Sequence, residues 1–126
     1  MNNKPLILVI EDDKLIANAI ERKLRKNGFV VAIAADGNEG VELALEKHPA
    51  LILLDIVLPL MDGITVLDKI RQDSWGAKVP VIVLSNLTRA MTPDEMRKKG
   101  ISQYLIKTDW TLEEVIKKVK YELGVL

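Results

Sequence analysis

The chain has 126 residues, of which 48% are hydrophobic and 29% are charged, and 18 lysines and arginines balance 18 aspartates and glutamates. A neutral chain of this length suits one globular domain and lacks the overall positive charge of a typical nucleic-acid binder. The absence of cysteine excludes disulfides and thiolate metal sites, and a single histidine, His48, argues against histidine-rich metal centres and serine–histidine triads. We interpret His48, which precedes Pro49, as an exposed cation near a helix end.

The N-terminal apolar run, residues 6–10, is too short for a signal peptide and is followed by acidic residues. No stretch of the sequence reaches the length that a membrane-spanning helix needs. The sequence therefore predicts a cytoplasmic protein with no membrane partner.

The first half of the chain alternates two predicted strands with two predicted helices. LILVI, from residue 6, is apolar and rich in branched residues, which is typical of a buried strand. Apolar residues then recur at helical spacing from Leu15 to Leu24, and Gly28 marks the end of that helix. FVVAIA, from residue 29, predicts the second strand, and Asp36 with Glu39 forms a capping-box variant that opens the second helix.

The second half continues the alternation with three strands and three helices. LILLDIV, from residue 51, and VPVIVL, from residue 79, predict the third and fourth strands, with a helix that begins near Gly63 between them. TPDE, from Thr92, is a strong helix start, and Gly100 ends that helix. QYLI, from residue 103, predicts the fifth strand, and TLEE, from Thr111, opens a last helix that Gly124 closes.

Strands that alternate with helices predict a parallel sheet covered by helices on both faces. The predicted fold is therefore an α/β, doubly wound sheet of five parallel strands flanked by five helices. We adopt the strand order 2-1-3-4-5 because it is the common arrangement for five strands, not because the spacing requires it. No linker, repeat or low-complexity segment divides the chain, so we expect one domain over residues 1–126 with no output domain.

Polar residues stand where the predicted strands end. In chain order they are Glu11, Asp12, Asp13, Asp55, Ser85 and Lys107. Ligands of doubly wound sheets bind beyond the carboxyl ends of the strands, at the point where the strand order reverses, so we expect these side chains to meet at one edge. Asp55 is the most informative, because it interrupts a run of apolar residues and unpaired buried charges are rare.

Carboxylates that crowd together repel one another unless a cation joins them. An all-oxygen group without histidine or cysteine suits a hard cation, and we expect Mg²⁺. A hydroxyl from Ser85, an ammonium from Lys107 and a nucleophilic aspartate would complete a site for an incoming phosphoryl group. Each residue alone has a simpler interpretation, as a helix cap, a turn residue or a solvated charge, but their joint position at successive strand ends favours a functional site.

Four segments, LVIEDD, LILLDIVLPLMDG, VIVLSN and YLIK, resemble in order and separation the receiver domain of two-component response regulators, which has a flavodoxin-like fold. The resemblance spans nearly the whole chain. It implies that Asp55 is the phosphoacceptor and Asp12 a direct Mg²⁺ ligand. It also implies that Glu11 belongs to the acid pocket and acts through water, that the Val57 backbone carbonyl is a further metal ligand, and that Asp13 occupies a variable acidic position.

The resemblance further implies that Ser85 is the switch hydroxyl, Lys107 the phosphoryl-binding lysine and Tyr104 the aromatic switch residue. Asp62-Gly63 matches the turn that leads into the third helix. The family usually follows the lysine with a proline in a cis bond, whereas this chain has Thr108. A cis bond without proline costs about 2.5–4 kcal/mol, so whether the Lys107–Thr108 bond is cis stays open.

By resemblance, the chain is a stand-alone, chemotaxis-receiver-like signalling domain that catalyses only its own phosphorylation and dephosphorylation. A sensor histidine kinase or a histidine phosphotransfer protein would donate the phosphoryl group. An unidentified downstream protein would bind the surface formed by the fourth helix, fifth strand and fifth helix, and no direct nucleic-acid contact is expected. The positions that flank the path of hydrolytic water in the family are Val57 and Leu87, both aliphatic here, which predicts slow self-dephosphorylation.

Two alternatives remain at this point. A phosphatase of the haloacid dehalogenase type also uses a strand-end aspartate, but it needs a second acid two residues later, where this chain has Val57. A receiver-like interaction module that no longer uses phosphate is the other alternative, and Thr108 is the departure that favours it.

Overall fold

The computed structural model describes residues 4–85, 92–106 and 110–125. Five strands and five helices alternate: β1 (Leu6–Ile10), α1 (Lys14–Lys26), β2 (Val30–Ala34), α2 (Gly37–Lys47), β3 (Leu51–Asp55), α3 (Gly63–Gln72), β4 (Val81–Ser85), α4 (Pro93–Lys99), β5 (Ile101–Ile106) and α5 (Leu112–Leu123). Within these described ranges, none of the helices is long and apolar enough to cross a membrane.

All five strands are parallel and lie in the order β2-β1-β3-β4-β5, which confirms the predicted fold. The predicted strand ends were less accurate. β3 stops at Asp55 instead of continuing to Val57, because the Val57 N–H turns back to the Asp55 carboxylate. β4 begins at Val81 and not at Val79, because Pro80 has no N–H to donate to a neighbouring strand. β2 begins one residue later than predicted, and β5 begins two residues earlier.

Alternate residues of each strand supply two separate hydrophobic layers, one on each face of the sheet. Ile52 and Leu54 of β3 pack in the layer covered by α2, α3 and α4, whereas Leu51 and Leu53 pack in the layer covered by α1 and α5. All five residues of β3 are buried. This two-sided burial explains why the central strands read as continuous apolar runs rather than as alternating ones.

Side-chain caps begin the helices where the sequence predicted them. The caps Asp36, Thr92 and Thr111 each accept a hydrogen bond from the backbone N–H three residues later. Gly100 and Gly124 end their helices in the left-handed conformation, with φ of 67° and 68°. These helix starts and ends could be predicted from the sequence, because a cap depends on residues three or four positions apart and not on the tertiary fold.

The predicted end of α2 is also confirmed, with one addition. His48 is the exposed C-cap of α2, and its ring stacks on Trp75 with the two ring centroids 4.5 Å apart. Trp75 is partly buried against the layer of α2, α3 and α4, and Trp110 packs against the opposite layer. Both tryptophans therefore contribute to packing.

The connection between β3 and α3 is held tightly against the end of the strand. The Gly63 N–H donates to the Ile56 carbonyl at 2.8 Å, and the Asp62 carboxylate caps α3. A β-carbon at Gly63 would lie 2.4 Å from the Asp55 carbonyl oxygen and 2.6 Å from the Ile56 α-carbon. Only glycine therefore allows α3 to begin this close to the residue that ends β3.

Arg71, near the end of α3, connects three segments by hydrogen bonds at the edge of the sheet where β4 and β5 begin. Its guanidinium donates to the carbonyls of Gly76 and Val79 at 2.8 and 2.7 Å, and to those of Lys99 and Gly100 at 3.1 and 2.8 Å. Burial lowers the pKa of Arg71, because it disfavours the charged form, yet arginine keeps its proton at neutral pH. The side chain thus links α3 to the loop before β4 and to the end of α4.

Replacing Arg71 with lysine should destabilise the protein, since a lysine ammonium cannot reproduce the planar fork that reaches four carbonyls. We expect the free energy of unfolding in urea to fall by about 2 kcal/mol, the scale of losing charged hydrogen bonds. Arg97→Lys is the matched control, because Arg97 of α4 is exposed and pairs only with the exposed Asp94 within the described part of the chain. We call the hydrogen bonds from Arg71 to the four carbonyls the Arg71 clamp. Equal unfolding free energies for the two variants would show that this clamp does not stabilise the fold.

Gly63→Ala should destabilise the protein more than Gly40→Ala. The added methyl at Gly63 meets backbone atoms that no rotamer change can move, whereas at Gly40 it meets the Ile10 side chain. We expect a loss of about 2–4 kcal/mol for Gly63→Ala and a smaller loss for Gly40→Ala. Thermal unfolding followed by circular dichroism measures both, and the opposite ranking would show that the loop adapts.

Candidate functional site

The register of the sheet brings the ends of β1 and β3 side by side. Ile10 of β1 pairs with Leu54 of β3, so Glu11, which follows β1, and Asp55, which ends β3, lie at the same edge. Both side chains are buried, with only 3% and 5% of their surface exposed. Two carboxylates from distant parts of the sequence therefore share one low-dielectric position at the carboxyl ends of the strands.

Asp12 joins these two residues from the solvent side. Glu11, Asp12 and Asp55 each offer a carboxylate oxygen, and the three oxygens lie within 4.8 Å of one another. Asp12 is exposed, whereas the other two are buried, so the group opens to solvent on the Asp12 side. The predicted meeting of acids from the first and third strands is thus present in the structure.

Backbone N–H groups orient the buried carboxylates. The Asp13 N–H donates to Glu11 Oε2 at 3.2 Å, and the Val57 N–H donates to Asp55 Oδ1 at 3.1 Å. The backbone of Glu11 is itself fixed, because its N–H donates to the Ala34 carbonyl of β2 at 3.0 Å. Such bonds offset part of the cost of burying charge, so the carboxylates keep fixed positions without leaving the protein interior.

The third acid of the triplet, Asp13, has a different role. Its side chain caps α1 by accepting hydrogen bonds from the N–H groups of Leu15 at 2.9 Å and Ile16 at 3.2 Å. It does not belong to the group of three close carboxylates. The simpler interpretation of an acid before a helix therefore holds for Asp13, but Glu11 and Asp12 face Asp55 instead.

The donor set fits a hard divalent cation better than any other ligand class. Three carboxylates supply only oxygen donors, and crowding three negative charges favours a cation between them. Mg²⁺ holds its ligands at about 2.0–2.1 Å, which places opposite ligands about 4.2 Å apart. Oxygens within 4.8 Å of one another need little closure to reach that geometry, and water can bridge any longer gap.

The remaining predicted residues are only partly described. Ser85 ends β4 and pairs with Ile106 of β5, which places its backbone at the same edge as Asp55. The Ser85 side chain, Lys107, Thr108 and Leu87 lie outside the described residues. Tyr104 pairs with Val83 and is partly buried against the layer that contains Met96 of α4.

Sequence reasoning missed the unusual backbone two residues before Asp62. Leu60 has a φ of 69°, and 88% of its side chain is exposed. Glycine or asparagine would have signalled a positive φ, whereas leucine gives no such signal. The Arg71 clamp was missed for a similar reason, because its partners are backbone carbonyls, which no side-chain pattern reveals.

Comparison with known proteins agrees with this geometry. Residues 7–120 match the family model of the response regulator receiver domain. The DNA-binding dual master transcriptional regulator RpaA of Synechocystis is 35% identical over 116 residues, which cover 92% of this chain and 48% of RpaA. The chain thus spans about half the length of the curated relatives it matches.

Two solved structures are similar over nearly the whole chain. The receiver domain of the Francisella response regulator 1452 is 33% identical with a TM-score of 0.85, and the match covers 96% of this chain and 98% of that one. The receiver domain of the sensor histidine kinase PA1611 of Pseudomonas aeruginosa, solved with a magnesium ion coordinated in its active-site cleft, is 30% identical with a TM-score of 0.82 and the same coverage. Together with the strand order and the acidic group, these matches show that the chain belongs to the response regulator receiver domain family.

Proposed function

We propose that the chain is a phosphoacceptor signalling domain in which Asp55 receives a phosphoryl group from a sensor histidine kinase or a histidine phosphotransfer protein. One observation carries the proposal. Asp55 ends a strand whose five residues are all buried, and its carboxylate lies within 4.8 Å of the carboxylate oxygens of Glu11 and Asp12. Burying a carboxylate among other carboxylates lowers the stability of the fold. Such clusters are therefore typical of functional sites, where the surrounding charge serves a reaction.

The transfer is a substitution at phosphorus. A carboxylate oxygen of Asp55 forms a new P–O bond while the bond between phosphorus and the donor atom breaks. The leaving group keeps the bonding electron pair and takes up a proton from solvent. The Val57 N–H fixes the orientation of the Asp55 carboxylate for this attack, which spares the cost of ordering the nucleophile during the reaction.

Asp12, Asp55 and the backbone carbonyl of Val57 would hold the metal directly, with Glu11 acting through water. Mg²⁺, when bound, offsets negative charge on the phosphoryl oxygens. The magnesium ion in the cleft of the similar PA1611 receiver supports this assignment. Asp12 is the exposed member of the group, so it defines the side from which the cation and the phosphoryl group enter.

We assign the phosphoryl-binding and switch roles to Ser85, Lys107 and Tyr104. Ser85 ends β4 at the edge where Asp55 stands, and Lys107 follows β5 directly in the sequence. Tyr104 contributes to the same apolar layer as Met96 of α4. A shift of Tyr104 after phosphorylation would therefore alter the surface of α4, β5 and α5 and change which protein binds there.

The output of this chain would pass through protein contacts. RpaA is named as a DNA-binding regulator, but the match covers only 48% of it. The present chain has a net charge of zero, so it lacks the electrostatic footprint of a DNA-binding domain. We propose a single cytoplasmic receiver domain over residues 1–126 that catalyses only its own phosphorylation and dephosphorylation.

Asp55→Asn should abolish phosphorylation by acetyl phosphate in Mg²⁺, because the amide lacks a nucleophilic oxygen. Asp13→Asn is the matched control: it also removes a carboxylate beside the site, but asparagine caps a helix as well as aspartate does. Intact-mass measurement should show phosphoprotein in the wild type and in the control and none in Asp55→Asn. Equal labelling of Asp55→Asn would refute the assignment, and no labelling of the wild type would favour the phosphate-independent interaction module.

Mg²⁺ should raise the melting temperature of the wild type, because a ligand that binds only the folded state stabilises it by about 2.7 kcal/mol at 100 times its dissociation constant. Asp12→Asn should remove most of this gain, since it deletes one of three clustered carboxylates. Asp36→Asn, which alters the cap of α2, should retain the gain. A wild-type melting temperature that does not respond to MgCl₂ would contradict the metal site.

We also propose that the phosphorylated state is long-lived, because Val57 and Leu87 are aliphatic and cannot orient a hydrolytic water. Val57 follows Asp55 by two residues and is 54% exposed, so it stands at the opening of the site. Val57→Asn, alone or with Leu87→Glu, should speed the loss of phosphate about tenfold, which corresponds to about 1.4 kcal/mol of barrier. Val30→Asn, at an exposed valine of β2, is the control.

The measurement is the decay of phosphoprotein in Mg²⁺ after removal of the donor. Decay in the Val57 variants that is no faster than in the wild type would show that water access does not limit the lifetime.

A further inference from the structure

Two helices on opposite sides of the sheet carry charges of opposite sign. α1 contains five basic residues and one acidic residue, whereas α2 contains three glutamates and one lysine. Ile20 of α1 packs in one hydrophobic layer, and Ala44 of α2 packs in the other. Because the sheet separates the two helices, their charges cannot pair within one chain, although the net charge of the whole chain is zero.

The second half of α1 borders a groove that combines apolar and basic side chains. Its volume is about 530 Å³, and it is lined by Ala19, Arg22, Lys23, Arg25, Lys26 and Leu112. Lys23 pairs with Glu113 at 3.1 Å. Arg25 pairs with Glu21 at 3.0 Å. Arg22 and Lys26 are exposed and pair with no carboxylate among the described residues, so they are the cations that remain for a partner.

The outer side of α2 carries the matching features. Glu42 and Glu46 are exposed and four residues apart, so they lie on the same side of the helix. Leu45 is 36% exposed and lies next to Glu42 on this side, three residues along the helix. Neither glutamate forms an ion pair within the described part of the chain. We call Glu42, Leu45 and Glu46 the acidic ridge.

The groove has the same spacing with the opposite charge. We call Ala19, Arg22, Lys26 and Leu112 the basic groove, and its two cations are also four residues apart on one helix. Like charges at this spacing destabilise a helix, so each of the two helices carries an unfavourable pair. An opposite pair at the same spacing compensates both, and Leu45 between the glutamates can contact the apolar residues of the groove.

We propose that the basic groove of one chain binds the acidic ridge of a second copy of the chain. The ridge fits the groove in sign, in spacing and in its exposed leucine. The contact joins two different surfaces, so each pair of chains keeps one free groove and one free ridge, and further copies can add head to tail. Because exposed ion pairs are weak and are screened by salt, the association is salt-dependent.

Two double variants test the contact. The groove variant combines Arg22→Gln with Lys26→Gln, and the ridge variant combines Glu42→Gln with Glu46→Gln. Sedimentation velocity at about 0.01 M salt, where screening is weak, should show a wild-type mass that rises with protein concentration and falls back at about 0.15 M salt. Each variant alone should associate about tenfold more weakly, the scale of losing two exposed ion pairs.

A mixture of the two variants is the sharper test. The groove variant keeps an intact ridge, and the ridge variant keeps an intact groove, so one native contact can form between them. The mixture should therefore form one-to-one dimers that do not grow further. A contact in which both chains use the same surface could not be restored in this way.

Two controls separate association from folding and from general charge effects. Lys69→Gln with Lys98→Gln removes two exposed cations from α3 and α4, and it should associate as the wild type does. The groove and ridge variants should keep the wild-type melting temperature, because each removes a like-charge pair from a helix. A clear fall in the melting temperature of both would show that these charges serve the fold, and the inference would be wrong.

Four further outcomes would overturn the inference. The wild type stays a monomer at low salt up to about 1 mM, the weak end of specific association. Both variants associate as the wild type does. The mixture of variants stays monomeric. The wild type stays a monomer but binds polyglutamate, and the groove variant does not, in which case the groove takes an acidic segment of another protein. Labelling of Asp55 by acetyl phosphate is measured separately, so none of these outcomes bears on the phosphoacceptor function.

Discussion

The burial of two carboxylates at the end of an apolar sheet is the constraint that shapes the rest of this molecule. Glu11 and Asp55 leave neighbouring strands with 3% and 5% exposure, and a third carboxylate from Asp12 faces them from solvent. Burying charge is unfavourable unless hydrogen bonds or an opposite charge compensate. The backbone N–H groups of Asp13 and Val57 supply part of the compensation, and the close approach of the three carboxylates favours a cation beside them.

This constraint explains why the surrounding backbone is so tightly specified. The chain must leave β3 at Asp55, turn sharply and begin α3 at Gly63, whose α-carbon has no room for a side chain beside the Asp55 carbonyl. The same short loop contains the strained Leu60. The Val57 N–H that orients the Asp55 carboxylate belongs to the same loop. The fixed orientation of the Asp55 carboxylate and the positive φ of Leu60 are therefore both features of the short loop between β3 and α3.

The sequence predicted the parts of this structure that depend on periodicity and on short-range chemistry. The five strands, the helix caps at Asp36, Thr92 and Thr111 and the meeting of Glu11 with Asp55 all follow from hydrophobic runs and from where those runs end. The strand order was adopted from a common arrangement and is confirmed. Backbone-determined features could not be predicted, because a leucine gives no signal of positive φ and an arginine gives no signal that it binds carbonyls.

The Arg71 clamp fixes the end of α4. Its guanidinium bonds the carbonyls of Lys99 and Gly100 at the end of α4, and Lys99 also pairs with Asp68 of α3 at 3.1 Å. The start of α4 has a Thr92 cap and belongs to the edge where β4 ends, on the side of Asp55. A displacement that begins at the phosphoryl site would therefore meet firm resistance at the end of α4, where Arg71 and Asp68 hold the helix.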